Sequence, residues 1–282
     1  MPPDKTAGEG TSLSESDLGR LLQTRILGRG LIEIHTRINS TNQRARELGL
    51  TNAPEGTLVL AETQTAGRGR LGRNWHSPPG LNLYFSLILR PNLPPDRTTL
   101  LTLAAGVGAA EAVSRVTGRK PSIKWPNDLL MGQRKVAGIL SEMETRGANL
   151  PFVILGLGLN VNLKPADLPA ELLDLAGSLF MATGRDWDRT ALLAAMLKEI
   201  ENQYEALKAG RAGDVLEQYR QACQTIGSQV RIAQGESVIQ GTAVAVNESG
   251  ELVIRPAGGR QLVCVNAGEV TLIKPPPETG LK

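Results

Sequence analysis

The spacing of the apolar residues changes near residue 225, and this change restricts the folds that are open to the chain. Between residues 186 and 223 the apolar side chains recur every three or four positions, which predicts two amphipathic helices. From residue 227 onward they form short β segments separated by turn signals such as Ala257-Gly258-Gly259. Closely spaced strands of this kind are typical of a small barrel. The pattern therefore predicts a separate C-terminal β unit behind a larger N-terminal part.

The larger part alternates between segments typical of strands and segments typical of helices. Strands are predicted at residues 31–35, 57–61, 83–89, 135–143 and 152–161. In the third of these, apolar and polar residues alternate, so we expect one clearly buried face. Ser40 begins a helix that we expect to stop at Gly49, and residues 98–116 predict a long helix rich in small side chains. The larger part therefore contains both predicted strands and predicted helices.

Composition and charge exclude several classes of protein. The 282 residues are 41% hydrophobic and 21% charged, figures that exclude a disordered, a collagen-like or a disulfide-stapled chain. The net charge of +3 is low for a protein that binds nucleic acid over its whole surface. Residues 1–17 are polar, which predicts a flexible tail and no signal peptide, and the longest apolar runs are too short to span a membrane. Two cysteines, Cys223 and Cys264, suit a reducing compartment, so we expect a cytoplasmic protein.

The segment Gly67-Arg68-Gly69-Arg70-Leu71-Gly72-Arg73 is rich in groups that bind anions. Glycines let backbone N–H groups converge on one point, and arginine guanidinium groups suit phosphate oxygens. The surrounding loop exceeds the length of about 12–15 residues above which loops in compact domains are usually functional or disordered. Residues 67–75, the arginine loop, therefore predict an anion site. A solvated loop and an arginine–glycine segment for nucleic acid stay open as alternatives.

A second cluster of polar residues lies at the predicted ends of two strands. It comprises Lys124-Trp125-Pro126-Asn127-Asp128 and Arg134-Lys135-Val136-Ala137-Gly138-Ile139-Leu140. Segments at the edge of a rigid scaffold often carry binding and catalytic side chains. Each residue also has a structural interpretation, with Asp128 as the cap of a turn, Trp125 as a core residue and Lys135 as a surface lysine at a hairpin.

Two glycines interrupt the last predicted strand of the larger part. Gly156 and Gly158 look like the start of a dinucleotide-binding fingerprint, but its last glycine would fall at Val161, so the match fails. In a strand, these glycines and Asn160 share one face, which leaves that face bare. A bare face predicts either a flat ligand over the strand or close packing against another element, and both interpretations stay open. The two histidines are too isolated to predict a metal site.

Taken together, these segments resemble the biotin protein ligase family. The matching motifs, in order, are Ser40-Thr41-Asn42, Glu62-Thr63-Gln64-Thr65-Ala66-Gly67-Arg68-Gly69-Arg70-Leu71-Gly72-Arg73-Asn74-Trp75, Lys124-Trp125-Pro126-Asn127-Asp128, Lys135-Val136-Ala137-Gly138-Ile139-Leu140 and Gly156-Leu157-Gly158-Leu159-Asn160. The resemblance covers about residues 18–275. It implies an α/β (α+β) fold, with a mixed sheet flanked by helices of the class II synthetase-like type, in a catalytic domain at residues 18–225. It also implies an SH3-like β-barrel at residues 226–282.

The resemblance further implies a two-step reaction. Biotin and ATP, with Mg²⁺, form biotinyl-5′-adenylate, and a lysine of a biotin carboxyl carrier protein then takes the biotin. The implied catalytic residues are Arg68, Arg70, Asp128 and Lys135. The implied biotin-binding residues are Ser40, Thr41, Asn42, Gln64, Gly67, Arg68, Gly69, Arg70, Lys135 and Gly138. The implied ATP-binding residues are Arg68, Arg70, Arg73, Trp75, Lys124, Asn127, Lys135 and Asn160, with Trp75 stacked on the adenine. No protein side chain is implied as a metal ligand.

The resemblance bears on partners as well. The carrier protein is the implied macromolecular partner, and a homodimer is compatible with the sequence. Some members of the family carry an N-terminal helix-turn-helix domain, for which the residues before Ser40 are too few, so we expect no specific DNA binding. The short apolar runs lead us to expect no membrane association. Residues 227–282 contain five basic and five acidic residues, which gives the β unit no excess charge for phosphate backbones. Lipoate–protein ligase and a biotin-sensing module without catalysis are the alternative functions.

Overall fold

The structure, a computed structural model, describes residues 12–91, 94, 97–145, 151–234, 237–259, 261–266 and 268–273. Within these ranges the helices are α1 (Glu15–Leu21), α2 (Thr41–Leu50), α3 (Thr99–Thr117), α4 (Leu179–Thr183), α5 (Arg189–Lys208) and α6 (Ala212–Ala222). The strands of the larger part are β1 (Ile32–His35), β2 (Leu58–Ala61), β3 (Leu83–Leu89), β4 (Ser122–Lys124), β5 (Asp128–Met131), β6 (Arg134–Glu144) and β7 (Phe152–Leu159). The strands of the C-terminal β unit are β8 (Gln229–Gln234), β9 (Ser237–Val246), β10 (Leu252–Pro256), β11 (Val263–Val265) and β12 (Glu269–Leu272).

Strands β1 to β7 form one seven-stranded sheet in the order β1-β2-β3-β7-β6-β5-β4. β1 and β2 run parallel, and the other neighbours run antiparallel. Helices pack on both faces, so the expected mixed sheet flanked by helices is confirmed. The sequence pattern does not predict β5, which begins directly after the turn at Pro126-Asn127.

The two faces of this sheet are packed differently. One face packs against the layer of α3, α5 and α6 and carries most of the core leucines. The other packs against α2 through a small cluster of buried side chains, which are Ala45, Val59, Ile88, Phe152 and Ile154. β3 is therefore buried on both faces along its whole length, and not on the single face that its alternating pattern predicts. This places the polar side chain of Ser86 inside the protein.

α3 is the central helix of the main core. Gly108 brings it close to α5, since a Cβ at this position would lie 2.7 Å from the backbone nitrogen of Ile200. α3 is long and apolar enough to cross a membrane, but 72% of its most apolar stretch is buried within the fold. Burial in the core therefore accounts for its apolar composition.

α2 does not stop at Gly49, as its sequence predicts. The helix continues to Leu50, and Gly49 lies against the ring of Phe152 on β7. A Cβ at Gly49 would collide with that ring. The glycine therefore permits close packing of the helix on the sheet, and the helix ends beyond it.

The C-terminal strands form a five-stranded antiparallel sheet in the order β11-β10-β9-β8-β12. The five β segments predicted after residue 227 are all confirmed. Trp125 joins this sheet to the larger part, because its buried indole N–H donates to the carbonyl of Gly250 over 3.0 Å. The peptide bond between Trp125 and Pro126 is cis. Trp125 is thus a core residue, as its structural interpretation predicts, and it also connects the two parts.

The first described residues already belong to the fold. Ser14 caps α1 by accepting a hydrogen bond from the N–H of Asp17. Leu13 is buried, and its N–H donates to the carboxylate of Glu62. The tail predicted over residues 1–17 therefore does not include Leu13 to Asp17, and residues 1–11 lie outside the described residues. Glu62 in turn pairs with Arg189 at 2.6 Å, and the Arg189 side chain is only 4% exposed.

We expect Arg189→Met to lower the free energy of unfolding by about 3–5 kcal/mol, because it leaves the buried Glu62 carboxylate without its counter-charge. Urea unfolding followed by circular dichroism measures this change. Arg211→Met is the matched control, since the ion pair of Arg211 with Asp214 is exposed and such pairs contribute little. Equal losses in the two variants would show that the buried pair does not stabilise the contact between β2 and α5.

Candidate functional site

A row of directly opposed residues crosses the α2-facing side of the seven-stranded sheet. From β2 to β4 its members are Ala61, Tyr84, Gly158, Gly138, Asp128 and Lys124. Opposed residues of an antiparallel pair share one face of the sheet. This glycine row therefore has bare backbone at its centre and charged side chains at its β4 end. The neighbouring row includes Ser86 opposite Gly156.

Two side chains lie directly on these glycines. A Cβ at Gly158 would lie 2.6 Å from the indole nitrogen of Trp75, and a Cβ at Gly138 would lie 2.9 Å from the same ring. A Cβ at Gly156 would collide with Oδ1 of Asn42. Of the two interpretations of the bare face, the structure shows close packing against side chains. The indole N–H of Trp75 is buried and has no hydrogen-bond partner among the described residues.

Cationic side chains gather at the β4 end of the glycine row. The Nζ atom of Lys135 lies 2.6 Å from Oδ1 of Asp128. Burial lowers the pKa of Lys124, and the negative charge of Asp128 acts in the opposite direction. Burial also lowers the pKa of Arg70, whose guanidinium donates to Oδ1 of Asn127 over 3.2 Å. Three cations thus share one carboxylate, and the surplus positive charge suits a polyanionic ligand.

The backbone of the arginine loop turns back on itself beside these cations. The N–H of Trp75 donates to the carbonyl of Gly67 over 2.9 Å, and the N–H of Gly69 donates to the carbonyl of Arg73 over 2.7 Å. Arg70–Gly72 forms a 3₁₀ turn between them. Gly67 is needed here, because a Cβ would lie 2.8 Å from the carbonyl oxygen of Trp75. The loop is therefore a compact hairpin-like turn.

The three arginines of the loop have different surroundings. Arg70 is half-buried in the cationic cluster, whereas Arg68 and Arg73 are exposed. Arg73 forms an ion pair with Glu269 on β12. The loop thus contacts the C-terminal β unit as well as the sheet of the larger part. The structure brings Arg70 to the predicted site and places Arg68 and Arg73 at its rim.

The start of α2 supplies neutral polar groups on the same side of the sheet. Ser40 is the N-cap residue, and its side chain makes no capping hydrogen bond. The N–H of Thr41 donates to Oε1 of Gln64 over 2.8 Å. The Nδ2 group of Asn42 donates to Glu142 over 2.6 Å. The structure therefore brings together Ser40, Thr41, Asn42 and Gln64, four of the predicted binding residues.

Sequence reasoning missed two members of this polar cluster. Ser86 Oγ lies 2.6 Å from Oδ1 of Asn42, and Glu142 accepts from the same amide. Ser86 carries a signal in retrospect, since it is a small polar residue inside a strand of otherwise apolar or aromatic residues. Glu142 carries none, because a glutamate near the end of a strand is ordinarily an exposed residue.

Asn160, at the end of β7, lies behind Lys135. It is 5% exposed, and its Nδ2 group donates to the carbonyl of Gly177 over 2.9 Å. The N–H of Gly177 donates to the carbonyl of Lys135, and the N–H of Lys135 donates to the carbonyl of Leu175, each over 2.8 Å. Asn160 therefore supports the segment that holds the Lys135 backbone, and its contact with ATP stays a prediction.

The two ends of the site differ in their chemistry. One end offers neutral hydroxyl and amide groups, the centre offers backbone and an indole, and the other end offers cations. This order suits an elongated ligand with a neutral polar head and a negatively charged tail. Across the described ranges of the chain, no group of three or more His, Cys, Asp or Glu side chains is placed to hold a metal ion.

Two family descriptions match the chain. Residues 34–160 match the Biotin/lipoate A/B protein ligase family, and this range contains the glycine row, the arginine loop and the cationic cluster. Residues 225–272 match the Biotin protein ligase C terminal domain, which corresponds to the five-stranded antiparallel sheet.

Individual relatives agree with these matches. The bifunctional ligase/repressor BirA of Bacillus subtilis is 38% identical over 88% of this chain and 76% of its own length. The biotin–[acetyl-CoA-carboxylase] ligase of Mycobacterium tuberculosis is 31% identical over 90% of this chain and 95% of its own length. A structure of Aquifex aeolicus biotin protein ligase in complex with biotin and ATP superimposes with a TM-score of 0.75 at 32% identity, covering 87% of this chain and 99% of that one. Sequence, domain order and fold all agree, and the chain belongs to the biotin protein ligase family.

Proposed function

We infer that this biotin–protein ligase uses ATP to form biotinyl-5′-adenylate and then transfers the biotin to a lysine of a biotin carboxyl carrier protein. The observation that supports this assignment is the order of neutral and cationic groups along the site. The neutral cluster at the start of α2 suits the ureido ring of biotin. The cationic cluster around Lys135 suits a carboxylate and a triphosphate side by side.

The first step joins two groups of like charge. A carboxylate oxygen of biotin attacks the α-phosphorus of ATP, and pyrophosphate leaves with the electron pair of the broken P–O bond. Lys135, Lys124 and Arg70 offset the charge of both reactants and of the transition state. ATP would enter as its Mg²⁺ complex, and the metal, bound to phosphate oxygens and water, would offset part of the phosphate charge. Arg68 is exposed at the rim of the site, and we expect it to contact the phosphates when the arginine loop closes over them.

Trp75 separates the two ends of the site. Its ring lies on the glycine row, and the Nζ atom of Lys135 lies 5.2 Å from the ring centre. A cation at this distance from an indole is attracted by the ring. We expect Trp75 to keep its contact with the sheet and to offer its free ring surface to the adenine, as its predicted role requires.

The second step is an acyl transfer. The neutral ε-amine of the carrier lysine attacks the carbonyl carbon of the mixed anhydride, and AMP leaves with the bridging oxygen. Asp128 is the carboxylate of the cationic cluster, so it is the residue placed to orient the incoming amine and to take up its proton. Its ion pair with Lys135 supports this role, because Lys135 is the residue proposed to contact the biotin carboxylate.

The C-terminal β unit completes the site from outside the sheet. Trp125, next to Pro126-Asn127-Asp128, donates to Gly250, and Arg73 of the arginine loop pairs with Glu269. The β unit therefore contacts two of the motifs that carry the predicted site residues. Homodimer formation, a cytoplasmic location and the absence of specific DNA binding stay predictions from the sequence.

Biotin-dependent release of pyrophosphate from ATP tests the first step, and transfer of biotin to a carrier domain tests the second. Lipoate, offered in place of biotin, separates this function from that of a lipoate–protein ligase. Pyrophosphate release with lipoate but not with biotin would overturn the assignment. Biotin binding without pyrophosphate release would indicate a sensing module.

We expect Lys135→Ala to slow adenylate formation at least about 100-fold, since a hydrogen bond to a charged group contributes about 1.5–3 kcal/mol and Lys135 would contact both reactants. Single-turnover pyrophosphate release measures this rate. Lys120→Ala is the matched control, because Lys120 is an exposed lysine outside the site. A rate equal to wild type in a folded Lys135→Ala variant would remove Lys135 from the reaction.

We expect Glu269→Gln to increase the rate at which the adenylate escapes by up to about fivefold, because an exposed ion pair contributes about 1 kcal/mol or less. The ion pair with Arg73 holds the arginine loop against the β unit, so its loss should loosen loop closure and leave pyrophosphate release nearly unchanged. The escape rate is measured as the rate at which free adenylate appears in solution when no carrier protein is present. Glu248→Gln is the matched control, since Glu248 lies in the same β unit and also pairs with an arginine of the larger part, Arg220 on α6. Equal effects of both substitutions would exclude a specific role of the Arg73 contact.

A further inference from the structure

Ser86 lies beneath the polar cluster at the start of α2, and nothing in the reaction assigned above uses it. It is fully buried on β3, so it has no surface that a ligand in the site could touch. Its Oγ atom lies 2.8 Å from Oγ1 of Thr41 and 2.6 Å from Oδ1 of Asn42. One side chain therefore contacts both residues that begin the helix.

The number of available protons determines the direction of these hydrogen bonds. A hydroxyl group has one proton, and the Oδ1 atom of Asn42 can only accept. Ser86 therefore donates to Asn42, and the proton in its contact with Thr41 comes from the Thr41 hydroxyl, which also lies 3.2 Å from Oε1 of Gln64. The series of hydrogen bonds continues from Asn42, because its Nδ2 group donates to the carboxylate of Glu142 over 2.6 Å. The result is a continuous chain from Thr41 through Ser86 and Asn42 to a carboxylate, in which each bond polarises the next.

The same chain restricts what Asn42 presents to a ligand. Its Oδ1 atom is committed to Ser86, and one of its two Nδ2 protons is committed to Glu142. Gly156 lies directly below the amide, and even a Cβ there would collide with Oδ1. The orientation of the amide is thus determined by the sheet, by Ser86 and by Glu142 together. Only the second N–H of Asn42 is available, and its partner must be an acceptor atom.

We propose that Ser86 is a positioning residue for biotin binding, which orients Thr41 and Asn42 without touching the ligand. This inference rests on the proposed function, because it takes the polar cluster as the place of the ureido ring. Ser86 stands apart from the cationic cluster, so its effect should fall on biotin and not on ATP. Its contribution is made before ligand arrives, by holding donors and acceptors in one arrangement.

The test is Ser86→Ala, with the biotin Kd measured by titration calorimetry and the ATP KM measured by pyrophosphate release at saturating biotin. We expect the biotin Kd to rise about tenfold, the cost of one buried hydrogen bond left unmade. We expect the ATP KM to stay at its wild-type value. Ser141→Ala is the matched control, since Ser141 also makes a side-chain hydrogen bond in this sheet, to Thr102 over 2.9 Å on the opposite face.

Each outcome supports or overturns the proposal. An unchanged biotin Kd in a folded Ser86→Ala variant overturns it, as does an equal weakening of biotin and ATP binding or an equal effect of Ser141→Ala. If Ser86→Ala does not fold, Ser86→Cys, which fills the same space with a weaker donor, replaces it under the same criteria. A wild-type protein that neither binds biotin nor releases pyrophosphate overturns the proposed function itself. Normal wild-type activity with an unaffected Ser86→Ala overturns only the role of Ser86.

Discussion

The absence of Cβ atoms at three glycines in the centre of the sheet is the constraint on which the site depends. Gly138 and Gly158 leave room for the ring of Trp75, and Gly156 leaves room for the amide of Asn42. With side chains at these positions, the indole and the amide could not lie on the backbone. The arginine loop and α2 would then be held away from the sheet. The cationic and the neutral clusters would then no longer lie on one continuous surface of the sheet.

Burial and charge are balanced differently at the two ends of the site. At the β4 end, cations are partly desolvated, and burial lowers the pKa of both Lys124 and Arg70. Asp128 is the carboxylate that offsets them. At the α2 end the groups are neutral, and they satisfy one another through hydrogen bonds that end at Glu142. A ligand therefore finds cations around its charged tail and neutral hydrogen-bonding groups around its neutral head. The C-terminal β unit adds the contacts to Trp125 and Arg73, and so ties both motifs to a second body of structure.

Much of the fold follows from the periodicity of the sequence. The alternating pattern of β3, the glycines of β7 and the five short segments after residue 227 are each visible along the chain, and the structure has strands there. The errors have physical causes. Gly49 is a packing position and not a helix stop, because the ring of Phe152 lies against it. Both faces of β3 are buried because α2 covers the second, and no pattern within β3 itself contains that information.

The sequence by itself determined which residue types take part, since the arginine loop, the motif around Asp128 and the segment that begins with Lys135 are local features of the chain. It also predicts a boundary between the larger part and the β unit, because the period of the apolar residues changes there. Only the tertiary structure decided which of these residues meet. Ser86 and Glu142 join Asn42 from distant strands, and Glu269 reaches Arg73 from the β unit. Contacts of that kind depend on strand order and register, which bring together residues far apart in the chain and leave no local signal in its sequence.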